Sequence, residues 1–296
     1  MRIKIDLAAS MAAVQDSPAV EMTLAELIAG FNTSTPGDYD WRLKKWIEAF
    51  GSTSAWAIKT EQLETAAQAM LAHGYKPSTV NRDMSALGTC YRWAKGKRLS
   101  PKGFLSPTLA IRRFEEAIRR VEVTTDQIEA LKARSMTVRD RRFSAFVHLL
   151  VDTGARKSEL LERHWRDVDL EAGTITCETT KTGVPRVLHF RPATAALMRR
   201  VWKSMPADKL VFEGRAPGYP VSYRTCWEMV TQDVGLPDLH MHDLRHAAAA
   251  ELLRAGVTLG VAAQVLGHSP QVLARRYGHL ETATLRLAQE QRWRTA

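Results

Sequence analysis

The apolar residues Leu24, Leu27, Ile28 and Phe31 recur at three- and four-residue steps, which places them on one face of an α-helix. The helical pattern resumes from Trp41 to Phe50 after the turn-rich segment NTSTPGDYD and reaches about Lys95. A longer helix is predicted after Lys76-Pro77, with Ser78 as N-cap and Val80, Met84, Leu87 and Tyr91 as one apolar stripe. Arg82 and Arg92 project off that stripe, and either one taken singly reads as a solvated surface residue. Between Gly96 and about Val123 the pattern loosens around Pro101, Gly103 and Pro107, which marks a domain junction.

A second helical series starts at Thr124-Thr125-Asp126, whose side chains suit a helix N-terminus, and continues through Ile128 and Leu131. The nearly continuous apolar run from Phe143 to Val151 predicts a buried helix. Beyond the turn Glu171-Ala172-Gly173, two short strands, Thr174 to Thr179 and Pro185 to Phe190, predict a β-hairpin with Lys181 near its tip. Helical patterning returns from Leu244 to Ala255, ended by Gly256, and from Val261 to Leu266, ended by Gly267. The expected fold is therefore mainly α with a small β-hairpin or sheet, in two domains. Its predicted parts are an N-terminal extension (1–21), a helical domain (22–100), a basic linker (101–122) and a larger domain with a C-terminal tail (123–296).

Charge adds a partner to this picture. In 296 residues, 42 Lys and Arg against 32 Asp and Glu give a net charge of +10, a field that attracts polyanions. A basic surplus also serves solubility, but its distribution points further. Arg92, Lys95, Lys97, Arg98, Lys102, Arg112, Arg113, Arg119 and Arg120 are opposed within that stretch only by Glu115 and Glu116. The three cysteines form no Cys-x-x-Cys pair and predict neither a disulfide framework nor a cysteine zinc site, which fits a reducing cytosol. The first residues carry no long apolar region and no later stretch approaches the ~20 apolar residues of a membrane span, so neither export nor membrane insertion is expected.

Four segments carry candidate chemistry: TGARKSELL around Arg156, TKTGVPRV around Lys181, HDLRHAAAAELLRAG from His242, and LGHSPQVLARRYGHL with His268 and Tyr277. Separately each has an ordinary reading: Arg156 as a surface arginine paired with Glu159, Lys181 as a hairpin-tip lysine, Tyr277 as a core residue with a wet hydroxyl. His242, Arg245 and His246 share a helix face by spacing. A zinc site there is disfavoured, because the metalloprotease glutamate is missing and Arg245 puts a cation beside the metal. His246 reads best as a helix-buried residue bonded to backbone.

Taken together and in this order, the four segments resemble the catalytic domain of tyrosine recombinases, the phage integrase family, over roughly Thr125 to Leu280. The most specific part is His-x-x-Arg-His followed by Leu-Gly-His and a tyrosine nine residues after His268. Ala247, and Leu188-His189-Phe190 in the returning strand, depart from the family's usual residues without removing a catalytic group. The resemblance implies catalytic roles for Arg156, Lys181, His242, Arg245, His268 and Tyr277, with Glu159 supporting them. It also implies a core-DNA-binding role for the helical domain, including the Ser78-x-Val80-Asn81-Arg82 stretch, with Arg82, Arg92, Lys95, Lys97 and Arg98 as candidate DNA contacts. The implied partners are double-stranded DNA recombination sites and further copies of the chain, as a tetramer on two duplexes. A tail containing Leu285, Leu287 and Trp293 is either exchanged between copies or packed on its own domain. Neither cofactor nor metal is implied.

The chemistry has reasons to use these groups. A phosphodiester gains negative charge as a nucleophile adds, and arginine forks answer it with paired hydrogen bonds. A phenol with an ordinary pKa of about 10 needs a positive environment and a proton acceptor, for which His242 is the expected group, while Lys181 would protonate the departing 5′ oxygen. Two rivals remain at this stage: a type IB topoisomerase with similar chemistry, and a non-catalytic DNA-binding regulator on the same scaffold.

Overall fold

The computed structural model describes residues 20–35, 39–116, 122–178, 185–267, 269–275, 277, 289–290 and 292–293. It divides into two compact units, Met1–Arg119 and Arg120–Ala296. The architecture is mainly helical with one small sheet, as the sequence pattern predicts. No helix of the described residues is long and apolar enough to cross a membrane.

The first unit is built from α1 (Leu24–Ser34), α2 (Asp40–Phe50), α3 (Thr60–Ala72) and α4 (Pro77–Gly96). A capping box starts α1: the Thr23 side chain accepts from the Glu26 N–H, and the Glu26 carboxylate accepts from the Thr23 N–H at 2.7 Å. The predicted stripe of Leu24, Leu27, Ile28 and Phe31 is buried, and it meets Leu43 and Trp46 of α2, Leu63 of α3, and Val80, Leu87 and Tyr91 of α4. Beneath α2 lies fully buried Asp83, held by Arg42 at 3.3 Å and Lys45 at 2.5 Å, so its charge is compensated. One boundary differs from the expectation. The cap of α4 is Lys76, with Pro77 inside the first turn rather than Ser78 as cap, because a first-turn residue needs no N–H donor. The basic stretch read as a linker is also held to this unit as far as Phe114. Phe104, Ile111 and Phe114 rest on the core, and Asn81 clamps both backbone groups of Phe114, at 2.9 and 3.0 Å.

The second unit opens with α5 (Thr125–Ser135), capped by Thr124, and α6 (Arg141–Thr153), capped by Asp140. The apolar run that predicted a buried helix is α6: Phe143, Phe146, Leu149 and Leu150 are sealed in the core. Gly154 ends it in a left-handed conformation, φ 57°. The short helix α7 (Lys157–Leu161) follows, then strands β1 (Val168–Asp169), β2 (Thr174–Cys177) and β3 (Arg186–His189). These pair antiparallel in the order β1-β2-β3, with Ile175 opposite Leu188. The strands are shorter than the expected 174–179 and 185–190, and Lys181 lies outside the described residues.

Further helices are α8 (Pro192–Val201), α9 (Arg224–Asp233), α10 (Met241–Arg254) and α11 (Leu259–Leu266). Helix α10 starts three residues earlier than Leu244, because the Asp243 carboxylate accepts the His240 N–H at 2.7 Å and so extends the helix N-terminally. That shift puts His242 and Arg245 in its first turns. A separate small cluster of Ala249, Leu253, Ala262, Ala263, Leu266 and Leu273 joins α10 to α11 and to the segment carrying Tyr277.

Candidate active site

Four sequence-distant segments of the second unit meet around one buried carboxylate. The turn after Gly154 brings Arg156 to the N-cap of α7, where Glu159 stands one turn along. Glu159 is 6% exposed and accepts from the Arg156 N–H at 2.8 Å and from Arg156 Nη1 at 2.7 Å. Arg186, on β3, donates Nη2 to the same carboxylate at 2.5 Å. Burial alone would push the Glu159 carboxyl up, but the Arg156 N–H and the Arg186 and Arg156 guanidiniums outweigh it and hold it below its ordinary value.

Two carbonyls at the end of α11 complete the frame. Arg156 Nη2 donates to the Gly267 carbonyl at 2.9 Å, and Arg186 Nη1 to the Val265 carbonyl at 2.9 Å. Gly267 has φ 61°, and a Cβ there would stand 3.1 Å from Arg186 Nη1, so glycine serves both the helix end and the close approach of the guanidinium.

Arg245 is 1% exposed and donates Nη1 to the Gly154 carbonyl at 2.9 Å. Burial, then the nearby charges of Arg156 and Arg186, lower its pKa to about 9, with Glu159 and Tyr277 acting the other way. It stays cationic at neutral pH. Among the described residues that hold this cluster, three guanidiniums share one carboxylate, Glu159, and the excess of positive charge favours an anion.

Tyr277 is half-buried and packs against the small cluster that joins α10 and α11. Its hydroxyl is hydrogen-bonded to His246 Nδ1 at 2.6 Å and lies 3.4 Å from the His246 carbonyl oxygen. The rings of His242 and His246 stand edge to face with centroids 4.8 Å apart. His246, expected from sequence as a helix-buried residue bonded to backbone, is instead part-exposed, and its ring Nδ1 meets the phenol. Arg156, Glu159, Arg245, His242 and Tyr277 gather in this unit as described. His268 and Lys181 lie outside the described residues.

One neighbour of the cluster, Arg186, was not singled out from sequence, and His246 was singled out without its contact to the phenol. Arg186 has a readable signal, since in a strand it shares a face with Leu188, which is buried. In the first unit, Arg82, Arg92, Lys95, Lys97 and Arg98 are all exposed. Arg92 and Lys95 line an open cleft of about 480 Å³ together with Arg112 and Arg113.

The phage integrase family's sequence profile matches residues 122–284, more than half of the chain and nearly all of the second unit. The chain belongs to the phage integrase family of tyrosine recombinases. A family relative, the tyrosine recombinase XerC of Xanthomonas campestris pv. campestris (strain B100), is 30% identical over 252 residues, 80% of this chain and 74% of the relative. The fold is shared with an integrase of the Tn1549 transposon solved with transposon right end DNA, at a TM-score of 0.70 and 19% identity over 91% of this chain and 99% of that one. It is shared also with a lambda integrase tetramer bound to a Holliday junction, at a TM-score of 0.63 and 18% identity over 91% of this chain and 83% of that one.

Gly154 ties this family member's fold to its site. A Cβ there would stand 2.7 Å from Leu266 Cδ2 and 3.0 Å from Ala248 Cβ, in a left-handed backbone. Gly154→Ala is expected to cost about 2–5 kcal/mol, from left-handed strain of ~1–2 kcal/mol and overpacking of ~1–3 kcal/mol. Chemical denaturation of the full chain checks this, and an alanine variant as stable as the parent would contradict it.

Proposed function

We propose that this protein is a site-specific DNA recombinase that cuts and rejoins DNA through a covalent 3′-phosphotyrosyl bond to Tyr277. The observation that carries the reading is the guanidinium-rich cluster, which keeps an excess of positive charge over its one carboxylate, with the Tyr277 hydroxyl hydrogen-bonded to His246, the residue after Arg245. A phosphodiester brings a negative charge to that excess. Arg156 and Arg245 donate to its non-bridging oxygens, where charge grows as the nucleophile adds. His242 and His268 add donors.

The bond from the Tyr277 oxygen to phosphorus forms as the bond from phosphorus to the 5′ oxygen breaks. The phenolic proton passes to a histidine. Sequence reasoning gave it to His242, but the geometry favours His246, whose Nδ1 is already hydrogen-bonded to the hydroxyl at 2.6 Å. Lys181 gives a proton to the departing 5′ oxygen. The phosphotyrosyl link conserves the energy of the broken bond, so the 5′ hydroxyl of another strand reverses the step without ATP.

The exposed cations of the first unit, Arg82, Arg92, Lys95, Lys97 and Arg98, follow the DNA backbone and position the duplex. Four copies act on two duplexes, a reading supported by the tetrameric assembly of the structurally similar lambda integrase. The experiment uses genomic DNA that becomes denaturant-resistant in its attachment to the protein, which is sequenced to recover the site. A plasmid with two copies of that site is then expected to exchange them. Relaxation of supercoils without exchange would replace the recombinase by a topoisomerase, and no covalent attachment would leave a DNA-binding regulator.

A further inference from the structure

Arg186 touches every segment of the cluster except that of Arg245. Its side chain is 8% exposed, one terminal nitrogen reaches Glu159 and the other the Val265 carbonyl, and Gly267 is packed against its plane. Three lines of chain are thereby fixed by one fork. Glu159 belongs to the turn that aims Arg156, Val265 and Gly267 immediately precede His268, and Arg186 itself follows Lys181 by five residues on the returning strand.

The arrangement is not one that stability alone would select. The Arg186 Nε–H is buried and finds no acceptor among the described residues, and an unanswered buried donor is destabilising. Arg186 also adds a third positive charge beside Arg245, which is already desolvated. A leucine at this position would extend the apolar face that Leu188 begins. A guanidinium is useful here only if its fork holds something.

We infer that Arg186 is a positioning residue of the strand-cleavage site: it fixes the Glu159 carboxylate so that Arg156 faces the phosphate, and it registers strand β3 on the end of α11. The inference rests on the recombinase reading. A lysine keeps the charge but reaches only one of the two acceptors, since its single ammonium lacks the planar fork.

The test compares full-length parent, Arg186→Gln, Arg186→Lys, Arg156→Ala and the Arg186→Gln/Arg156→Ala double variant on a nicked duplex carrying the recovered site. It reads DNA affinity and the single-turnover rate of covalent attachment. DNA affinity, spread over many phosphate contacts, should move by less than about threefold. The attachment rate should fall about 10- to 100-fold in Arg186→Gln, an order below the roughly 10²–10³-fold loss of a donor that touches the phosphate. Arg186→Lys should recover less than half of that loss on a logarithmic scale, which separates fork from charge. In the Arg156→Ala background, Arg186→Gln should add less than about threefold, because the group it aims is gone.

A rate equal to the parent's, full rescue by lysine, additive losses with Arg156→Ala, or parallel loss of affinity and rate would each overturn the inference. Should Arg186→Gln fail to fold, the lysine variant carries the same comparison, singly and with Arg156→Ala. Absence of any adduct from the parent would count against the recombinase reading instead.

Discussion

Tyr277→Phe is expected to abolish covalent attachment to DNA while leaving DNA affinity within about threefold. The substitution removes one oxygen and keeps the ring that packs on the cluster joining α10 and α11. Loss of a nucleophile with no substitute lowers the chemical step by more than about 10⁴-fold. Tyr223 is no substitute: it is 3% exposed, and burial and Asp140 push its hydroxyl well above the ordinary range. The phenylalanine variant should still occupy the site on a nicked duplex, as seen in a gel shift, and release it completely in denaturant. A denaturant-resistant complex from Tyr277→Phe would remove Tyr277 from its role.

Arg156→Ala and Arg245→Ala should each slow attachment by roughly 10²–10³-fold or more, the cost of withdrawing a preorganised donor from developing negative charge. The two losses have different structural side effects. Arg156→Ala leaves Glu159 with Arg186 and frees the Gly267 carbonyl, whose helix end is already stabilised by its left-handed glycine. Arg245→Ala takes a side chain from a fully buried position and deprives the Gly154 carbonyl of its donor, so it should also lower stability. Lysine at either position restores charge without the fork and should restore only part of the rate. Single-turnover cleavage of a nicked duplex measures all four variants, and near-parental rates for either alanine would overturn that residue's role.

Much of this was legible in the sequence, for local reasons. The α1 stripe, the helix start at Thr124, the apolar run that became α6 and the glycine stop at Gly267 all depend on residues within a turn or two of one another. The ordered motifs likewise brought Arg156, Glu159, Arg245, His242 and Tyr277 into one unit without any knowledge of how the chain folds. What sequence pattern could not resolve is long-range pairing. Arg186 finds its partners 27 and 79 residues away, so nothing in its neighbourhood distinguishes it from a surface arginine except strand parity with Leu188. The four-residue spacing of His242 and His246 fits a shared helix face whether or not a phenol from another segment reaches it. Helix starts moved for a similar reason: the Asp243 cap extended α10 over Met241 to Asp243, ahead of the apolar pattern that begins at Leu244.

The account stands on one spatial claim, that the Tyr277 oxygen and the Arg156 and Arg245 guanidiniums serve the same phosphorus. The most direct test traps the parent protein on a nicked duplex carrying its site, digests protein and DNA, and maps the modified peptide by mass spectrometry. A nucleotide 3′-phosphate on the peptide containing Tyr277, fragmenting at the tyrosine, is the predicted result. The same mass on any other residue, or its presence undiminished when Arg156 and Arg245 are both alanine, would contradict it.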